Sequence, residues 1–140
     1  MVPLGSLQED DTVVILLADD EASVRRLIEV MLGRGSYRLL IASDGAEALG
    51  MSRAYQERIH LLLSDIDMPG MSGVELAHSI VAERPEVRVL LISADPVNAD
   101  RSELPFIAKP FTRESLRAKI QEVLRPEPLV AASGRSGSEL

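Results

Sequence analysis

Four hydrophobic runs in this sequence end in, or just before, side chains that can do chemistry. Residues 13–18 lead into Asp19 and Asp20, residues 60–64 into Asp65, residues 87–92 into Ser93, and residues 106–108 into Lys109. Three carboxylates brought close together repel one another and raise at least one pKa, and a divalent cation relieves that repulsion. All-oxygen ligands select a hard ion, and Mg2+ favours one or two carboxylates completed by waters and phosphate oxygens. The set therefore points to phosphate chemistry. A carboxylate can attack phosphorus and become an acyl phosphate, and the rest of such a transfer is positioning and charge neutralisation over the phosphoryl oxygens. Asp65 is the natural nucleophile, with the Lys109 ammonium and the Ser93 hydroxyl available for two of those oxygens.

These groups meet only if the runs lie side by side. In an open parallel sheet the carboxyl ends of the strands form the ligand crevice, which gathers residues remote in sequence. The chain alternates in the way such a sheet requires. Residues 13–18 are an uninterrupted apolar run of strand length, as in a strand covered on both faces. Val24, Leu27, Ile28, Met31 and Leu32 recur at amphipathic spacing and predict a helix ending near Gly33 and Gly35. Residues 37–42 predict a second strand, and Asp44 with Glu47 a capping box opening a helix to about Tyr55. Residues 60–65 predict a third strand. Pro69, Gly70 and Gly73 mark a loop, Ser72 with Glu75 a second capping box, and Val74, Ala77, Ile80 and Val81 a buried helix face. Residues 87–92 and 106–108 predict two more strands. Thr112 is the expected N-cap of a last helix striped by Leu116, Ile120, Val123 and Leu124. Repeated strand and helix units with short connections predict an α/β fold, a doubly wound five-stranded parallel sheet covered on both faces.

Composition narrows the class. A chain of 140 residues suits one domain with a real core, expected over residues 12–125. Residues 1–11 read as a flexible leader and residues 126–140, rich in Pro, Gly, Ser and Ala, as a linker or tail. The net charge of −7, with Arg and Lys scattered rather than striped, argues against direct nucleic-acid binding and suits a protein partner. The absence of Cys removes disulfide frames and thiolate metal sites and fits a reducing compartment. No basic start precedes an apolar core and no apolar run reaches membrane-spanning length, so the expectation is a soluble, cytoplasmic protein.

The pieces Asp19-Asp20-Glu21, Ser64-Asp65-Ile66-Asp67-Met68-Pro69-Gly70-Met71-Ser72-Gly73, Ile92-Ser93-Ala94 and Ala108-Lys109-Pro110-Phe111 resemble the receiver domain of bacterial two-component response regulators. The likeness runs from about Thr12 to Leu124, with all four pieces in order at strand ends. It implies the flavodoxin-like strand order 2-1-3-4-5 and a phosphoacceptor rather than a multiple-turnover enzyme. Asp65 would take a phosphoryl group from a partner histidine kinase or histidine phosphotransfer protein, and an output domain or effector would respond. By the same resemblance Asp20 and Asp65 would bind Mg2+ directly, Asp19 largely through water, and the Asp67 backbone carbonyl would be a third protein ligand. Ser93 and Lys109 would hold the phosphoryl oxygens, Phe106 falls at the switch aromatic, and the bond before Pro110 would be cis. Two features depart from the family. The stretch from Ser93 to Lys109 is short and broken by Asp95-Pro96 and Leu104-Pro105, which predicts a short or missing fourth helix and an altered output face. Phe106 lacks the hydroxyl of a Tyr, so a switch there would work by packing alone.

Each residue taken singly has a plainer explanation. Asp19 and Asp20 would be read as caps of the first helix, Ser93 as a turn residue, Lys109 as a surface cation, and Phe106 as core. His60 and His78 receive no role. An EF-hand beginning at Asp65 fails because its fifth position is Pro69 and its twelfth Leu76. Neither GxxxxGK[ST] nor GxGxxG occurs. A haloacid-dehalogenase-like phosphatase using Asp65 as nucleophile and Asp67 as acid/base is the enzyme alternative, and it needs further carboxylates and a cap. A binding-only receiver would be marked by loss of Asp65 or Lys109, and both are present.

Overall fold

The computed structural model describes residues 12–33 and 35–126. The expected leader, and the tail from residue 127 on, lie outside these described residues. Ten elements alternate strictly: β1 Val13–Ala18, α1 Ala22–Leu32, β2 Tyr37–Ala42, α2 Gly45–Ala54, β3 Leu61–Asp65, α3 Gly73–Glu83, β4 Arg88–Ser93, α4 Pro96–Arg101, β5 Phe106–Ala108 and α5 Arg113–Leu124. All strand pairs are parallel, in the order β2-β1-β3-β4-β5, which is the doubly wound arrangement. The fourth helix is short, as the prolines dictate: Pro96 starts it, and Glu103, with φ 62, turns the chain into the left-handed region soon after its end.

The pleat divides the core into two layers. Val14, Leu16, Ala18 and Leu62 join Ala48, Leu76, Ala77, Ile80 and Ala99 under α2, α3 and α4, whereas Ile15, Leu17, Leu61 and Leu63 join Ile28, Leu32, Leu116 and Ile120 under α1 and α5. Leu61, Leu62 and Leu63 are fully buried on alternating faces, which explains the continuous apolar run and contributes roughly 1.5–3 kcal/mol per side chain.

Several helix details differ from the sequence pattern. In α1, Ile28 and Leu32 are buried but Leu27 is 48% exposed, because the helix covers the sheet with only the centre of its apolar stripe. In α3 the buried set includes Leu76, while Val74 and Val81 are only partly covered. Small residues, Gly45, Ala48 and Ser52, form the buried face of α2, so the helix packs closely despite its weak stripe. Asp44 caps α2 by accepting the Glu47 N–H at 2.7 Å, but Glu47 reaches back to the N–H and hydroxyl of Ser43 rather than closing the predicted box. The Ser72–Glu75 box is complete, and Thr112 forms one with Ser115. Arg84 anchors α3 to the end of α2, donating to the Ser52 hydroxyl and to the carbonyls of Ser52, Tyr55 and Glu57. His60 is structural, its Nδ1 accepting the Val14 N–H at 3.0 Å.

The β3–α3 junction fixes the height of Asp65. Gly70 turns the loop at φ +81, and Gly73 lies so close beneath the strand that a Cβ there would stand 2.2 Å from the Asp65 carbonyl oxygen. Backbone atoms cannot yield to such an intrusion without moving the strand end. Gly73→Ala should therefore lower the unfolding free energy by about 3 kcal/mol in a urea titration. An unchanged midpoint would mean that the junction opens freely.

Candidate functional site

Sheet register brings the chemical residues to one rim. Ala18 aligns with Ser64, Asp65 with Ile92, and Ser93 with Ala108. The residues following Ala18 and Ser64, Asp19 and Asp65, therefore leave the sheet side by side, and Lys109 leaves two strands away. Carboxylate oxygens of Asp19, Asp20 and Asp65 lie within 4.8 Å of one another. Asp19 is fully buried, Asp65 is 7% exposed, and Asp20 lies on the open side.

Backbone groups aim this cluster. Asp19 Oδ1 accepts the Glu21 N–H at 2.9 Å, the Ser64 hydroxyl donates to the Asp65 carbonyl at 2.9 Å, and the Asp67 backbone N–H lies where it pulls the Asp65 pKa down. The carboxylate of Asp67 is exposed and lies outside the triad. Asp19 and Asp20 do not cap α1, whose N-cap is Glu21, without a side-chain bond. The Lys109 ammonium stands 3.9 Å from Asp65 Oδ1, an ion pair too long for a hydrogen bond, so its donors remain available to a third group. The Lys109–Pro110 bond is cis. Ser93 is buried, but its hydroxyl is turned into the next loop, donating to the Asp95 carbonyl at 2.8 Å and accepting the Asp95 N–H at 2.9 Å. Phe106 is partly buried against the α2–α4 layer.

One residue with no assignment from sequence joins the site. Arg25 Nη1 donates to the Asp19 carbonyl at 2.7 Å. Its only sequence signal is an Arg on the first helix after the acidic pair.

Electrostatics set the state of the cluster. Burial, reinforced by the neighbouring charge of Asp19, pushes the Asp65 carboxyl from 3.8 up to about 6, against the pull of Lys109. Asp19 is also raised, chiefly by burial and against the Glu21 N–H. Asp19 Oδ2 is buried without a hydrogen-bond partner, an uncommon and costly condition. A partnerless carboxylate oxygen beside two further carboxylates fits a hard, hydrated divalent cation such as Mg2+.

Residues 15–121 match the response regulator receiver domain, and the chain belongs to that family. It is 36% identical over 133 residues to the protein-glutamate methylesterase/protein-glutamine glutaminase 2 of Rhodopseudomonas palustris, covering 89% of this chain and 34% of that protein. It is 35% identical over 117 residues to the probable transcriptional regulator ycf27 of Guillardia theta, covering 79% and 45%. The chain thus spans less than half the length of these two relatives. A response regulator receiver protein from Sinorhizobium medicae shares the fold with a TM-score of 0.74 at 25% identity, covering 83% of this chain and 97% of that one. The receiver domain of a sensor histidine kinase from Pseudomonas aeruginosa, with magnesium coordinated in its active site cleft, matches at TM-score 0.71 and 26% identity, covering 81% and 98%. None of these likenesses favours the phosphatase alternative. Among the described residues no helix is long and apolar enough to cross a membrane.

The raised Asp65 pKa has a consequence for stability. Between about pH 4 and pH 6 the folded chain holds a proton at Asp65 that the unfolded chain has released, so stability from this group falls as pH rises through that interval. Asp65→Asn, which removes the buried charge, should raise the stability of Mg2+-free protein at pH 7.5 by roughly 1–3 kcal/mol, with the gain vanishing toward pH 4. Thermal unfolding at both pH values checks this, and a destabilised Asn variant at pH 7.5 would contradict it.

Proposed function

We propose that this receiver domain accepts a phosphoryl group on Asp65 from the phosphohistidine of a histidine kinase or histidine phosphotransfer protein and relays the event through its surface. The observation that carries this reading is the convergence of three carboxylates within 4.8 Å with the Lys109 ammonium 3.9 Å from one of them. An Asp65 carboxylate oxygen attacks phosphorus in line, the P–N bond of the donor breaks, and the imidazole leaves with its electron pair and takes up a proton. Asp20, Asp65 and the Asp67 carbonyl would hold Mg2+, with Asp19 acting through water, and the bound ion would supply charge neutralisation for a phosphoryl oxygen. Lys109 takes a second oxygen with donors that Asp65 does not engage. Ser93 gives up the Asp95 carbonyl to donate to a third.

That exchange releases the loop leading into α4, and with Phe106 shifting by packing alone it biases the surface between two states. The chain's own turnover is limited to gaining and losing this phosphoryl group. The cytoplasm is the compartment in which such a donor operates, and an output domain or effector protein reads the altered face. Domain limits of 12–125 enclose every group this scheme uses.

Incubation with acetyl phosphate and Mg2+ should add one acid-stable, base-labile phosphoryl group by intact mass, with none on Asp65→Asn. Lys109→Met should slow labelling roughly 100-fold. Equal labelling of Asp65→Asn, or sustained multiple-turnover phosphate release from generic esters, would overturn the assignment.

A further inference from the structure

We propose that Arg25 is a positioning residue for the metal-binding carboxylate of Asp19, an inference that rests on the receiver reading above. Asp19 is held on three sides. Its N–H donates to the Ala42 carbonyl at 3.2 Å, its Oδ1 accepts the Glu21 N–H at 2.9 Å, and its own carbonyl accepts Arg25 Nη1 at 2.7 Å. The remaining polar atom, Oδ2, is buried without a partner, in a side chain gathered with Asp20 and Asp65. Two of these anchoring bonds fix the backbone of Asp19 and one holds its carboxylate, which leaves Oδ2 as the oxygen that would face a hydrated cation. Two of the anchors are backbone groups that α1 and β2 supply in any case. Arg25 is the one side chain among them, so it is where this orientation depends on residue identity.

A guanidinium beside an acidic cluster has two effects of opposite sign. As a charge it competes with a divalent cation, so removing it would tighten Mg2+ binding. As a donor it fixes the loop that presents Asp19, so removing it would weaken binding, as loss of outer partners of metal ligands commonly does by 10-fold to 100-fold. The geometry favours the second. Arg25 bonds the backbone carbonyl rather than the carboxylate, and the cation to which both Asp19 and Asp65 respond is Lys109.

Titration calorimetry of MgCl2 into the full chain distinguishes the two signs. Arg25→Met should weaken Mg2+ about tenfold, and Arg25→Lys, which keeps a donor, should stay within twofold of the parent. Labelling by acetyl phosphate should show the matching split: the half-saturating Mg2+ concentration rises about tenfold for Arg25→Met while the rate at saturating Mg2+ is retained. Unchanged or tighter binding by Arg25→Met overturns the inference and leaves the receiver reading intact, as does a lowered maximal rate with unaltered Mg2+ dependence. A parent chain that binds no Mg2+ overturns both. Circular dichroism checks folding, and if Arg25→Met does not fold, Arg25→Gln replaces it. That neutral side chain, too short to reach the carbonyl, should weaken Mg2+ severalfold against Arg25→Lys, and equal affinities overturn the inference.

Discussion

The structure depends on keeping three carboxylates together, two of them buried away from water. Asp19 and Asp65 are both buried, the charge of Asp19 raises the cost of charge on Asp65, and nothing in the apolar layers below offsets that cost directly. The offset comes from the rim, from the Glu21 N–H, the Asp67 backbone and the Lys109 ammonium at 3.9 Å, and it is incomplete, since Asp19 Oδ2 has no hydrogen-bond partner. A parallel sheet suits this arrangement because its strands end at one edge, where β-to-α turns supply free N–H donors without further folding. The core's contribution is register. Two apolar layers lock Ala18 opposite Ser64, and a slip of one residue would turn Asp65 to the other face and carry every Leu of β3 with it.

Much of this was legible in the sequence because the relevant rules are local. Uninterrupted apolar runs of five or six residues bounded by turn signals fit strands covered on both faces, and the residue that ends each run is then placed at the rim. Ser72 with Glu75 and Thr112 mark helix starts through hydrogen bonds within a single turn. The family motifs added strand order, which periodicity cannot supply. What escaped notice depends on partners remote in sequence or on crowding in three dimensions. Leu27 has the spacing of a core residue and yet is half exposed, since the width of the buried stripe is set by the neighbours of α1. Leu76 sits at the centre of the α3 face for the same reason. Arg25 bonds a backbone carbonyl, which has no residue signature, whereas the turn bonds of the Ser93 hydroxyl to Asp95 match the plainer sequence reading of Ser93 as a turn residue.

That last bond joins the site to the element least able to resist it. The helix α4 has six residues and one buried side chain, Ala99, too few for helical cooperativity to hold it alone. Its start is fixed by Asp95, whose side chain accepts the Asn98 N–H at 3.3 Å and whose backbone is hooked at both ends to Ser93 Oγ. Its end is fixed by Ser102, which donates to the Ala99 carbonyl at 2.6 Å before Glu103 enters the left-handed region. Moving the Ser93 hydroxyl by one hydrogen bond therefore removes one of the two supports of a helix that packing barely stabilises. A longer fourth helix would resist such a loss through its own ladder of backbone bonds. Here the six-residue helix leaves α4 dependent at its start on the single hydroxyl of Ser93.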